Sequence, residues 1–337
     1  MEIVFVHFGS YPPNYLVRNL NRTCEYFPDT RVTLITDVKL DIPIKHTNFQ
    51  KHTFVLGADY HKVDAQINHP KNFRNNFWFT SLARVMALCD YVIDKQLPIL
   101  HIESDVLVSR DLPLETFTKC DRSIAYTIVG EMSGVASILW IGDKSAAVHL
   151  RSYINFRAQV DSMTTDMKIL GQYQNDYSQH VRILASFPTR LLGSHSLIPN
   201  QIVQDMIYSE KLFSGFFDAA DVGQYLLGDD PRNNRGMKIL RRELVTSFFK
   251  PSKVNFVYSK DRKFLNTCSE KVNRYFTLHI HSKNASVFDE KRIESLLSTA
   301  VRNQARPEKH ILVPSVLLSS IKNSLIRRLH AFTGSKR

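Results

Sequence analysis

The sequence predicts an α/β protein, Rossmann-like, with a mixed and mainly parallel sheet flanked by helices. Three observations carry this. Apolar, β-branched runs recur at 2 to 8 (EIVFVHF), 31 to 37 (RVTLITD) and 97 to 105 (LPILHIESD). The segments between them place apolar residues at helical spacing. Finally, 337 residues with 43% hydrophobic and 23% charged side chains can bury a large core without disulfide or metal staples.

In chain order, the first run is followed by PPNYLVRNLNRTCEYF. Here Leu16, Leu20, Cys24 and Phe27 form one helical stripe behind Pro12 and Pro13. With the run at 31 to 37 this completes a β-α-β unit, which implies parallel strands and ligands at their carboxyl ends. A long helix is expected over 77 to 96, where Leu82, Val85, Met86, Cys89 and Val92 make a stripe leading into the strand at 97 to 105. Two further strands are expected at 123 to 130 and 134 to 143, then helices at 144 to 158 and 165 to 178. The Gly-, Asp- and Asn-rich stretch from 200 to 250 reads as loops with short helices. The expected organisation is one domain over 1–302 and a basic tail over 303–337.

Charge and cysteine usage narrow the class. The four cysteines form no CxxC pair, so neither a zinc knuckle nor a disulfide framework is expected, and a reducing compartment fits. MEIVFVHF has no basic n-region and no run approaches a membrane span, so the expected location is cytoplasmic. From 301 onward eight basic residues face Glu308 alone, so the tail holds much of the net charge of +12. In it Leu317, Ile321, Leu325, Leu329 and Phe332 share a helical stripe beside Lys322, Arg327 and Arg328. Such a helix suits an anionic membrane surface, or packing on the body or on a partner. The charge left on the body is too small to call for nucleic acid.

The chemistry centres on Glu103-Ser104-Asp105. At the end of an apolar strand, residues i and i+2 face the same way, so both carboxylates would share a face. Leaving them buried, ionised and unpaired is costly, so they end in a solvent-filled cleft or are neutralised by cations, and Mn²⁺ or Mg²⁺ does this while bridging to phosphates.

HIESDVLVSRDL resembles the acid-x-acid segment of GT-A-fold glycosyltransferases, with Glu103 in place of the commoner first Asp. FWFTSLARVMALCDYV resembles the helix that precedes that segment. The resemblance spans roughly 2 to 285 and is to the superfamily rather than to one family. It implies that Asp105 binds Mn²⁺ (or Mg²⁺), that Glu103 reaches the metal or the ribose, and that Arg84 lies near the donor diphosphate. RYFTLHIHSKN is similar in kind to the segment supplying a late metal-ligating His, here His281 or His279, with Lys283 for the diphosphate. His281 is preferred for its place nearer Lys283. A strand histidine bonded to its neighbours is the bland alternative.

Donor recognition is expected from Phe8, Gly9 and Asp37 at the ends of the first two strands. Asp37 would bind the base, or serve only a turn. Asp166, behind Thr164 or Thr165 as helix cap, complements the helix dipole or acts as the general base of an inverting transferase. Asp218, Gln224, Asp230 and Arg232 are expected to bond to sugar hydroxyls or phosphate, or to form a turn network.

The reaction expected is metal-dependent transfer of a sugar from a nucleotide diphosphate donor to a glycan, lipid-linked or protein acceptor, inverting or retaining. Two rivals stand beside it. A sugar nucleotidylyltransferase would need a glycine-rich basic loop after the first strand, which VHFGSYPPN lacks. A non-catalytic sugar-nucleotide or polyanion-binding protein predicts binding without metal.

Overall fold

The opening β-α-β unit is present: β1 (Glu2–His7), α1 (Asn14–Tyr26) and β2 (Val32–Thr36). The computed structural model describes residues 1–130, 133–191, 198–234, 237–240, 250–258, 264–268, 271–302 and 309–312. β3 (Phe49–Thr53) and α2 (Ala58–Gln66) follow, neither expected from the sequence. β3 is a half-exposed edge strand reading FQKHT, with no apolar run to betray it. Then come α3 (Phe77–Lys95), β4 (Ile99–Ile102), β5 (Val106–Val108), α4 (Leu114–Phe117), β6 (Ile124–Ile128), β7 (Gly134–Ile141), α5 (Lys144–Val160), α6 (Asp166–Asp176) and β8 (Val181–Ile183). The expected helices at 77, 144 and 165 are thus all formed. Asp143 caps α5 by accepting from the Ala146 N–H at 2.8 Å, and Thr165 caps α6 by accepting from that of Lys168 at 3.1 Å.

Seven strands form the main sheet in the order β3-β2-β1-β4-β7-β6-β8. β7 alone runs antiparallel to both its neighbours, so the sheet is mixed and mainly parallel. Its strands other than β3 are buried on both faces. Val4, Val6, Ile99 and Leu139 belong to one apolar cluster with α3, α5 and α6, while Ile3, Phe5, Leu100 and Ile138 belong to another with α1. This period-2 division is what turns continuous apolar runs into a central sheet.

A second sheet forms beside α1. Its strands are β11 (Asn255–Tyr258), β12 (Phe264–Cys268) and β13 (Lys271–His279), and β5 completes the order β11-β12-β13-β5. β9 (Phe216–Phe217) adds to β13. The stretch expected to hold loops with short helices has the short α8 (Asp221–Leu227), but it opens on a longer helix than expected, α7 (Asn200–Phe213), 14 residues with Ile202, Met206 and Phe213 buried. β10 (Met237–Leu240) pairs with β14 (Lys309–Leu312), and α9 (Glu290–Arg302) precedes the latter. The stripe from Leu317 to Phe332 lies outside the described residues. Among the described residues no helix is long and apolar enough to cross a membrane.

The strand expected over 97 to 105 ends early, at Ile102. Glu103 N–H still donates to Ser137 O at 3.0 Å, but Val106 N–H then donates to Glu103 O and closes a turn. The turn carries the chain out of the main sheet and into the second one. Carboxylates that a sheet interior could not hold therefore sit where the backbone leaves it.

His101 on β4 is fully buried, and its Nδ1–H donates to Val4 O at 2.9 Å. Burial, with the charge of Arg84, pushes its pKa from 6.5 down to about 3. An unfolded chain takes up a proton there below pH 6.5 while the folded one does not. The stability tied to His101 is thus fully present above pH 6.5 and is lost as pH falls towards 3, by up to about 1.4 kcal/mol per pH unit. Urea unfolding of wild type and His101→Gln between pH 7 and 4.5 should show a shallower pH slope for the variant. Equal slopes would remove this assignment.

Candidate functional site

The site begins with the pairing of β5 and β13. Their antiparallel register sets His279 opposite Val106 and Leu278 opposite Leu107. Ile280 N–H then donates to Asp105 O at 2.8 Å, which ties the end of β13 to the Glu103–Asp105 turn. The register therefore brings an imidazole to two carboxylates. His279 Nε2 lies 3.4 Å from Glu103 Oε2 and 3.3 Å from Asp105 Oδ2. Ligand atoms of Glu103, Asp105 and His279 all fall within 4.8 Å of one another. Two carboxylates and an imidazole form a donor set suited to a first-row divalent ion, and such an ion would fit here.

The structure separates the two histidines that sequence reasoning placed on one strand face. β13 ends at His279, and His281 lies in the following turn, where its N–H donates to His279 O at 3.1 Å. The His281 ring stacks on that of His279 with centroids 4.1 Å apart, outside the carboxylate cluster. The preference for His281 therefore falls on the neighbour of the residue that faces the acids. Burial, with the charge of His279 second, lowers His281 to about 3, so it is neutral at ordinary pH.

Behind His279 stands Asp218, whose carboxylate is fully occupied. Oδ1 accepts from Val222 N–H at 3.0 Å, and Oδ2 accepts from Gly223 N–H at 2.7 Å and from His279 N–H at 3.0 Å. His279 Nδ1–H donates to Ala219 O at 2.9 Å, which orients the ring so that Nε2 faces the acids. The expectation that Asp218 bonds to sugar hydroxyls gives way to a role in holding the α8 start and the His279 backbone together. Gln224 is buried on the same helix.

Cations surround the acids. Arg84 bridges Glu103 Oε1 at 2.5 Å and Asp166 Oδ2 at 3.5 Å, and Ser81 Oγ donates to Asp166 Oδ1 at 3.1 Å. Burial raises the Glu103 carboxyl, but the charges of Arg84, His279 and Lys283 outweigh it and bring it to about 2. For Asp166 the balance is opposite: burial raises its pKa, with Arg84 as the main opposing charge. Lys283, with a left-handed φ of 52°, places Nζ on Asp105 Oδ2. Burial lowers its pKa to about 8, with Glu103 opposing. Its ammonium occupies a position on Asp105 that a metal ion would also claim.

Other expected residues surround this centre. Asp230 takes Arg232 Nη2 at 2.6 Å and Arg74 Nη1 at 3.4 Å. Burial raises the Asp230 carboxyl, and its bonds and charge pairing with Arg232 and Arg74 outweigh that, leaving it lowered. Asp37 at the end of β2 accepts the Gly9 N–H at 2.8 Å, so it fixes the loop after β1. Gly9 holds φ +113°, and no atom lies within 4 Å of where a Cβ would stand, leaving room for close approach. The Phe8 ring packs against the core.

Three participants escaped sequence reasoning. Ser81 was legible in principle, three residues before Arg84 on one helix face. Tyr15 at the start of α1, whose ring lies 5.8 Å from Lys283 Nζ, and Arg74, in a left-handed turn, gave no local signal.

No family model and no curated protein matches the chain. Among solved structures it is similar to the galactosyltransferase LgtC in complex with donor and acceptor sugar analogs, at 19% identity, 61% of this chain, 83% of that one and a TM-score of 0.41. It is also similar to mouse xyloside xylosyltransferase 1 in its apo form, at 7% identity, 55% and 84% coverage and a TM-score of 0.36. A third is the glycosyltransferase GlyE of Streptococcus pneumoniae TIGR4, at 14% identity, 54% and 45% coverage and a TM-score of 0.34.

Proposed function

We propose that the protein is a metal-dependent glycosyltransferase of the GT-A type, moving a sugar from a nucleotide diphosphate donor to an acceptor hydroxyl. The observation that carries this reading is the convergence of Glu103, Asp105 and His279 beside the carboxyl ends of β1 and β4, with Arg84 and Lys283 against them. Open α/β sheets bind ligands at such strand ends. When Mn²⁺ or Mg²⁺ is bound there, it offsets the charge that grows on the diphosphate oxygens as the glycosidic bond breaks.

The residues of the chain do the rest. Glu103, Asp105 and His279 would hold the ion, and Asp218 fixes the His279 backbone behind them. Lys283 releases the Asp105 oxygen and turns its ammonium to the diphosphate, so the departing charge meets a cation already in place. Gly9 and Asp37 border the nucleotide, and Asp230 with Arg232 borders the sugar or the phosphate. Arg84 joins Glu103 to Asp166. In an inverting reaction Asp166 must free an oxygen from Arg84 to take the acceptor proton. In a retaining one it stays bound and orients a sugar hydroxyl. The basic tail, which lies beyond the described residues apart from β14, supports action at the inner face of an anionic membrane.

The first test is cleavage of a panel of nucleotide sugars with Mn²⁺ or with EDTA, which needs no acceptor. Cleavage of one donor only with metal supports the reading. Donor binding without metal and without cleavage would favour the non-catalytic rival.

The triad has its own test in Mn²⁺ titration calorimetry. His279→Ala should weaken binding by about 100-fold, at the top of the range for losing even an outer-shell partner, and His281→Ala by roughly tenfold or less. The reverse order would return the ligand role to His281.

A further inference from the structure

Beside the candidate site lies a group of aromatic rings that the proposed reaction has not used. Phe73 stacks on Trp78 with centroids 5.5 Å apart and planes 14° apart, and His69 also stacks on Trp78, at 5.1 Å. Phe77 meets both Phe73 and Trp78 edge-on. Phe73 and Phe77 are each 39% exposed, an unusual degree for two adjoining phenylalanines.

Three features tie these rings to the site. Phe77, Ser81 and Arg84 stand at i, i+4 and i+7 of α3, so the face that delivers Ser81 and Arg84 presents Phe77 about 10 Å further out along the axis. The Arg74 guanidinium lies over the Phe73 ring at 5.2 Å and the Phe77 ring at 5.9 Å, while it pairs with Asp230 and bonds to Asn233. On the opposite side, His69 Nε2 bonds to Thr164 O at 2.9 Å, two residues before Asp166.

The backbone here is strained. Arg74, Asn75 and Asn76 take left-handed φ values of 49°, 58° and 60° in succession. Each costs roughly 1 kcal/mol or more, and such strain is concentrated at ligand-binding segments.

We propose that Phe73, Phe77 and Arg74 form a sugar-stacking subsite for the acceptor, a pyranose ring lying on the phenylalanines with its hydroxyls towards Arg74 and Asn233. This rests on the transferase reading above. The mixture of apolar faces and polar edges selects the occupant: a pyranose has one apolar C–H face and a rim of hydroxyls, whereas a lipid chain would displace water from the Arg74–Asp230 pair and the Asn233 amide and offer no hydrogen bond in its place.

The test uses the full-length protein and four probes: the methyl glycosides of glucose, galactose and N-acetylglucosamine, and lactose. Binding is read by saturation-transfer NMR and by fluorescence. Of the two tryptophans, Trp140 is buried, so a change on sugar binding reports Trp78. At least one probe should bind wild type through its C–H face. Phe73→Leu and Phe77→Leu should raise its Kd about tenfold or more, while Phe73→Trp retains binding. Leucine keeps the apolar contact and so protects the fold. Equal binding by the leucine variants would overturn the subsite, as would wild type that cleaves a donor with Mn²⁺ yet binds none of the probes. Wild type that fails to cleave any donor would instead remove the transferase reading beneath it. Self-association in the ultracentrifuge that disappears in Phe77→Leu would assign the rings to a second copy and also overturn the proposal.

Discussion

Asp105→Ala should lower Mn²⁺-dependent cleavage of the donor by on the order of 10² to 10³-fold, the cost of removing one group that stabilises charge in a transition state. Asp105 is the best buried acid of the triad at 3% exposed, and it is shared by His279 and Lys283. The substitution removes a ligand and also leaves the Lys283 ammonium without its carboxylate, so Mn²⁺ affinity and the donor complex both suffer. Asp105→Asn separates these losses, because the amide keeps the shape but not the charge. Both variants should retain the wild-type melting temperature within a few degrees when metal is absent. The outcome that would sink the assignment is full cleavage by Asp105→Ala at saturating Mn²⁺.

The second large effect is expected at a residue that has no side chain. A Cβ on Gly223 would lie 2.0 Å from the His279 carbonyl oxygen and 2.9 Å from Asp218 Oδ2. Neither can retreat cheaply: one is backbone in a paired strand, and the other is held by three N–H groups. Gly223→Ala should therefore cost roughly 3 kcal/mol, the upper end of ordinary overpacking, and displace His279 as it does so. Thermal unfolding reads the first effect and Mn²⁺ affinity the second. A variant that melts like wild type with unchanged affinity would show that α8 can move off β13 freely. Gly223→Ala should impair metal binding more than His281→Ala does, although His281 touches the ligand and Gly223 has no side chain.

The contrast shows what a sequence of this kind can and cannot disclose. Continuous apolar runs announced β1, β2, β4, β6 and β7, because strands buried on both faces have no polar alternation to confuse them. Stripes announced α1, α3, α5 and α6. β3 passed unnoticed, since a half-exposed edge strand carries no such run, and β5, three residues directly behind the expected strand end at 105, was too short to announce itself. The acid pair at 103 and 105 was visible, yet for a geometric reason that differs from the observed one: a turn between two sheets, rather than the alternation of a strand, brings the carboxylates together. His279 and His281 could not be ranked from spacing, because the ranking depends on where β13 stops pairing with β5. Asp218 looked like any loop acid until its three N–H partners were seen, and Arg74 reaches Asp230 only through a left-handed turn that no local pattern announces.

The Glu103–Asp105 turn lies on the seam between the two sheets, and this gives the site a mechanical character. Asp105 and Lys283 are separated by 178 positions in the chain, and His279 stands four residues before that lysine. An ion gripping Asp105 and His279 would act as a clasp across a long stretch of chain, joining the β-α-β half to β13. Slippage of one sheet against the other would open that clasp without altering any ligand. Its grip is thus a gauge of how faithfully the two halves have docked, and a chain whose second sheet is misregistered would be unable to hold the ion at all.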